Sequence, residues 1–116
     1  MQTLAQLQAG KLRGIKRLAL AEDLSTFPPE ILLLADSLEV LDLSNNRLSS
    51  LPAELAQMSK LKIVFASNNL FESLPEVLGQ CLNLEMIGFK ANQIRQVSAA
   101  ALPPQLRWLI LTDNQI

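Results

Sequence analysis

Histidine and tyrosine are missing from this 116-residue sequence, and aromatic residues of any kind make up only 4% of it. Without His, a Ser-His-Asp triad, a Cys-His nucleophile pair and a histidine metal site are all excluded. The single cysteine, Cys81, cannot close an internal disulfide, so nothing directs the chain to an oxidising compartment. Glycine occurs only at positions 10, 14, 79 and 88, and Gly10-Lys11-Leu12-Arg13-Gly14 does not have the spacing of a phosphate loop. Neither sign of charge dominates. Ten basic and eleven acidic residues give a formal net charge of −1, which excludes a non-specific electrostatic grip on nucleic acid or anionic lipid. The longest aliphatic run, Ile31 to Ala35, is far short of the ~20 residues of a membrane span, and the N-terminus lacks a charged-then-apolar signal pattern. The expectation is one cytoplasmic domain with no catalytic residue, metal or cofactor, and with neither nucleic acid nor membrane as partner.

What the chain does have is leucine, at 25 positions, within a hydrophobic fraction of 49%. The leucines are periodic. Leu38-Glu39-Val40-Leu41-Asp42-Leu43-Ser44-Asn45-Asn46 aligns with Leu61-Lys62-Ile63-Val64-Phe65-Ala66-Ser67-Asn68-Asn69. Further copies begin at Leu84 and Leu106 and end at Asn92 and Asn114, so the starts step by 23, 23 and 22 residues. A weaker copy begins at Ile15 and ends at Asp23. The downstream halves also repeat: Leu48 to Leu55 matches Phe71 to Leu78, each with a Leu-Pro step. The pattern resembles the leucine-rich repeat, Leu-x-x-Leu-x-Leu-x-x-Asn-x-Leu. The fold expected is an α/β leucine-rich repeat solenoid of about five repeats, with a parallel sheet on the concave face and short helices on the convex face. The repeats fall at 15–37, 38–60, 61–83, 84–105 and an incomplete 106–116. Residues 1–14 form a capping helix, with Thr3 as N-cap and Gly10 as C-terminal stop.

Each repeated residue has a physical task. Strand side chains alternate faces, so Leu41 and Leu43 and their counterparts point inward. These counterparts are Leu18 and Leu20, Val64 and Ala66, Ile87 and Phe89, and Leu109 and Leu111. One repeat cannot bury its own apolar face, so neighbours must stack. Asn46, Asn69, Asn92 and Asn114 lie where the chain leaves the strand, and an amide can satisfy both donors and acceptors of a buried turn. Asp23 is expected at the same position of the first unit. Pro52 and Pro75 are expected at the first position of a convex helix. Val97-Ser98-Ala99 replaces the Leu-Pro step in the one shortened repeat, and Pro103-Pro104 ends any helix there.

The outward positions suggest where a partner would bind. Val40, Ile63, Met86 and Trp108 form one apolar row, joined by Phe65 and Ile110 from the next, with Gly88 between these two as a dent. Contiguous exposed apolar surface marks interaction sites, and Trp and Met are enriched at interface centres. A protein or peptide partner is therefore expected there. Lys16, Glu39, Lys62, Glu85 and Arg107 alternate strictly in sign just before the strands, which predicts a cross-strand charge ladder. Cys81 aligns with Met58 and Ala35 as a buried structural residue. Glu30, Glu54 and Glu76 fall in the first turns of the convex helices. The last repeat stops at Ile116 without a polar cap, so the sequence reads as a fragment of a longer array, with self-association through its C-terminal end.

The whole chain also resembles the start of bacterial proteins that join leucine-rich repeats to a serine/threonine protein kinase. Met1-Gln2-Thr3-Leu4-Ala5-Gln6-Leu7-Gln8-Ala9-Gly10, Gly88-Phe89-Lys90-Ala91-Asn92 and the stretch from Leu102 to Ile116 carry the likeness. It implies that these residues are the recognition segment of a kinase whose catalytic domain lies outside the chain. No kinase residue transfers: the His-led catalytic loop, the phosphate-covering loop and the Mg-binding Asp-Phe-Gly are all missing.

Overall fold

A computed structural model describes residues 2–116; the Met1 end of the expected cap lies outside the described residues. Five short strands form one parallel sheet in chain order: β1 (Arg17–Ala19), β2 (Val40–Asp42), β3 (Ile63–Phe65), β4 (Met86–Gly88) and β5 (Trp108–Ile110). The register is that of the repeat. Arg17, Val40, Ile63, Met86 and Trp108 are directly paired across the sheet, and so are Ala19, Asp42, Phe65, Gly88 and Ile110.

Between strands the chain crosses to the other side and forms 3-10 helices at Pro29–Leu34, Ala53–Gln57, Glu76–Gln80 and Ala99–Ala101. A 3-10 turn rises ~2.0 Å per residue against ~1.5 Å for an α-helix. It therefore covers more of the return path within a 23-residue unit. Pro52 and Pro75 do not open these helices as expected; they sit one residue earlier, at the N-cap, with non-helical ψ of 151° and 129°. A proline loses nothing there, because the N–H it lacks has no intrahelical partner. Pro29 does occupy the first helical position. In the shortened repeat Ser98 is the N-cap, its Oγ accepting from Ala100 N at 3.2 Å.

The core lies between the sheet and these helices. Leu18, Leu41, Val64 and Ile87 from the strands and Ile31, Leu55, Leu78 and Ala101 from the helices are all buried. Phe71 and Phe89 meet edge to face, with ring centroids 5.0 Å apart. Leu109, on the edge strand, is 38% exposed. Neighbouring convex segments approach closely at Gly79, where a Cβ would lie 1.8 Å from the Ala100 carbonyl oxygen.

An asparagine ladder closes the loops after the strands. Asn69 Nδ2 donates to Leu43 O (3.0 Å) and Ala66 O (3.1 Å), while its Oδ1 accepts from Leu48 N (2.9 Å). Asn46, Asn92 and Asn114 make the equivalent bonds, from Nδ2 to Leu20, Ala66 and Phe89 and at Oδ1 from Leu24, Phe71 and Ile94. Each amide thus links its own repeat to the preceding one. Asp23 is not the first rung. Three residues separate Leu20 from Leu24, whereas four separate Leu43 from Leu48, so the first loop has no rung position of its own. Asp23 instead adopts φ of 58° and pairs with Arg47 at the surface (2.8 Å).

The charge column also differs from expectation. Backbone bonds tie it together, with Glu39 N, Lys62 N, Glu85 N and Arg107 N each donating to the preceding member's carbonyl at 2.8 Å. Yet the two ion pairs among the described residues are Arg47–Asp23 and Arg95–Glu72, outside the column. Lys16, Lys62 and Arg107 are exposed and Glu39 and Glu85 half-buried, and at such a surface a contact pair gains only ~0–1 kcal/mol against side-chain entropy.

Helix α1 (Leu4–Gln8) precedes the repeats, with a Thr3–Gln6 capping box, Leu7 in the core and Gly10 at φ of 75°. Gln2 reaches the free edge of β1: its Nε2 donates to Arg17 O (2.8 Å) and its Oε1 accepts from Ala19 N (2.7 Å). These are the outward backbone groups of that strand, so one amide stands where a further strand would pair. Glu22 Oε2 accepts from Leu4 N, tying the start of α1 to the first repeat.

Candidate functional site

The free face of the sheet carries the residues at positions 1 and 3 of each strand, since position 2 enters the core. Val40, Ile63, Met86 and Trp108 are brought into one row by direct strand pairing, with Phe65 and Ile110 in the adjacent row. Exposure along the stripe is uneven. Val40, Ile63, Phe65 and Met86 are half-buried, while Trp108 is 53% exposed and Ile110 is 37% exposed. Flanking rows at a strand spacing of ~4.8 Å cover the middle of the stripe, and β5 is covered from one side only.

Gly88 is not a dent. It is buried, and a Cβ placed on it would lie 2.6 Å from Phe65 Cδ1 and 3.0 Å from Cε1. The Phe65 ring has leaned across the strand spacing and rests on Gly88. Glycine at this position was legible in the sequence; that it seats the neighbouring ring was not, because this depends on the rotamer of a residue 23 positions earlier.

A second feature escaped the sequence reading. At the β1–β2 end of the same face lies an open cavity of about 480 Å³, bounded by Gln2, Ala19, Ala21, Glu22, Asp42 and Ser44. Ala19 and Ala21 provide its space, and the folded-back N-terminal segment provides its wall. Asp42 Oδ1 accepts from Ser44 N at 2.9 Å, which fixes the carboxylate against its own loop. The first signal available was the pair of alanines where the next two repeats carry larger residues, Asp42 and Phe65 beside Ala19 and Ser44 and Ser67 beside Ala21; the wall depends on Gln2 docking onto β1.

Cys81 is 3% exposed, and its Sγ faces the Val77 carbonyl at 3.5 Å. Burial pushes the thiol from its ordinary value of 9.0 up to about 11, so it is a core residue and a poor nucleophile at neutral pH. Glu30, Glu54 and Glu76 occupy the first turns of three separate 3-10 helices. Among the described residues, no group of three or more Cys, Asp or Glu is arranged to hold a metal ion, and no helix is long and apolar enough to cross a membrane.

The stacked strands, the short convex helices and the asparagine ladder define a leucine-rich repeat solenoid, a class generally used for protein–protein interaction and typically non-catalytic. Residues 36–79 match the family model for Leucine Rich repeats (2 copies). Among solved structures, an LRR protein of Leptospira interrogans is similar, with a TM-score of 0.81 and 32% sequence identity over 95% of this chain. The chain spans 28% of the length of that structure. Comparison with curated proteins finds no match.

Proposed function

We propose that the chain is an interaction module that binds a protein or peptide on the free face of its sheet, through Val40, Ile63, Phe65, Met86, Trp108 and Ile110. The observation that carries this reading is the direct pairing of Val40, Ile63, Met86 and Trp108 into one row ending in a half-exposed indole. Outward positions in a sheet can be polar at no cost to the core, so an apolar row there asks for a partner. Indoles are frequent binding hot spots, with losses on truncation of ~2 kcal/mol or more, about thirtyfold in affinity. The F65A/W108A double variant is expected to lose partner capture while keeping the melting temperature within a few degrees of the parent. Unchanged binding in that variant refutes the assignment. In a longer protein the same face would serve as the recognition segment of a kinase, the reading that the likeness of residues 88–92 and 102–116 favours. Sequence beyond Ile116 tests it, through a Gly-rich loop and a His-Arg-Asp motif.

A further inference from the structure

We infer that the face selects a segment carrying a basic side chain next to an apolar anchor, with the Lys or Arg seated in the cavity beside Asp42; this rests on the interaction-surface reading above. Phe65 pairs directly with Asp42 on one side and Gly88 on the other. Because its ring lies over Gly88, the space above Asp42 stays open. The position on the far side of Asp42 is Ala19, whose methyl group fills little of it. The resulting cavity of about 480 Å³ is large enough for a lysine or arginine head and part of its stem.

The charge in the cavity is of one sign. Asp42 and Glu22 line it, no Lys or Arg does, and neither carboxylate is in an ion pair among the described residues. Glu22 already accepts from Leu4 N. Asp42 gives one bond's worth of acceptance to Ser44 N, and a carboxylate has about four acceptor sites. An incoming cation therefore meets an oriented, half-buried carboxylate with capacity to spare. The apolar contact begins one strand away, ~4.8 Å, at Phe65. Two exposed cations stand on the same face outside the cavity, Arg17 at the first position of β1 and Lys90 beyond β4, and both disfavour a second basic residue on the segment.

Phage-displayed random peptides panned on the 116-residue chain, then resynthesised and titrated by fluorescence anisotropy, test this. The expected result is enrichment of Lys or Arg beside apolar residues. Substituting that basic residue with Gln, or the protein with D42N, then weakens binding about fivefold, the size of one partly exposed charge pair. Added salt erodes the difference. Asn at 42 keeps a carbonyl oxygen for Ser44 N, and D42K is expected to turn the preference towards acidic peptides. Peptides that lose binding with F65A/W108A but show no basic enrichment and no response to D42N overturn the cation pocket and leave the apolar face standing. Absence of any enriched peptide, or peptides indifferent to F65A/W108A, overturns the interaction reading itself and the pocket with it.

Discussion

At the scale of single residues, the ladder asparagines carry the largest individual stakes. Asn69 is 4% exposed and satisfies two carbonyls and one N–H that no water reaches. An alanine would leave Leu48 N unpaired, at about 1–3 kcal/mol, and would remove one of the two amide donors from each carbonyl, at about 0.5–1.5 kcal/mol per lost bond, with Leu43 O keeping Asn46 and Ala66 O keeping Asn92. N69A is expected to lower the unfolding free energy by about 3–5 kcal/mol, measured by urea titration. Asn114, which is less buried, is expected to cost less. Cys81 gives a pH signature. Its thiol is held near 11 by burial but titrates near its ordinary 9.0 once unfolded. Between these values the unfolded chain binds fewer protons than the folded one, so stability is intact below pH 9 and falls as pH rises towards 11, by about 2–3 kcal/mol in all. Urea midpoints of the parent minus those of C81A, taken from pH 8 to 11, isolate this slope from lysine titration. A flat difference would mean the thiol is solvated.

At the scale of elements, spacing on the convex side is limited by Gly79. The Ala100 carbonyl oxygen occupies the place of its missing Cβ, and a backbone oxygen cannot rotate away. G79A is expected to force the 3-10 helices at Glu76–Gln80 and Ala99–Ala101 apart. Overpacking costs about 1–3 kcal/mol, of which alanine's better helix propensity returns up to ~1 kcal/mol. Thermal melts should fall by about 4–8 °C per kcal/mol lost. A100G should not rescue the variant, because the obstacle is a carbonyl and not a methyl. Gly88 is the contrasting case, where the nearest atoms belong to a side chain that can turn aside. The strands were legible because their residues recur at one interval and alternate between core and free face. The convex helices were legible as short elements, but their 3-10 geometry was not, since it follows from the distance to be crossed and not from local propensity.

At the scale of the whole molecule, Gln2 joins a terminal residue to the sheet. Its amide pairs with both backbone groups that β1 presents outward, Arg17 O and Ala19 N. Q2A is expected to speed amide exchange at Ala19 and to lower stability by about 1 kcal/mol. Unaltered exchange at Ala19 would show that water serves that edge equally well. Such a contact is invisible in a repeat alignment, because residue 2 has no counterpart in any other unit. Asp23 shows the complementary difficulty: it fitted the period in sequence, yet the first loop is one residue short and lacks a rung, and Asn46 of the next unit accepts from both Glu22 N and Leu24 N. The alternating charges fitted too, and the backbone keeps their register while no ion pair forms between the heads. Periodicity therefore reveals what every unit shares, and single substitutions within it decide what each unit does. Gly79 has such an effect at a distance. A horseshoe bends because its outer rim is longer than its inner one, so drawing two outer segments together flattens the arc locally, and the palm opposite Met86 and Trp108 opens wider to whatever lies across it.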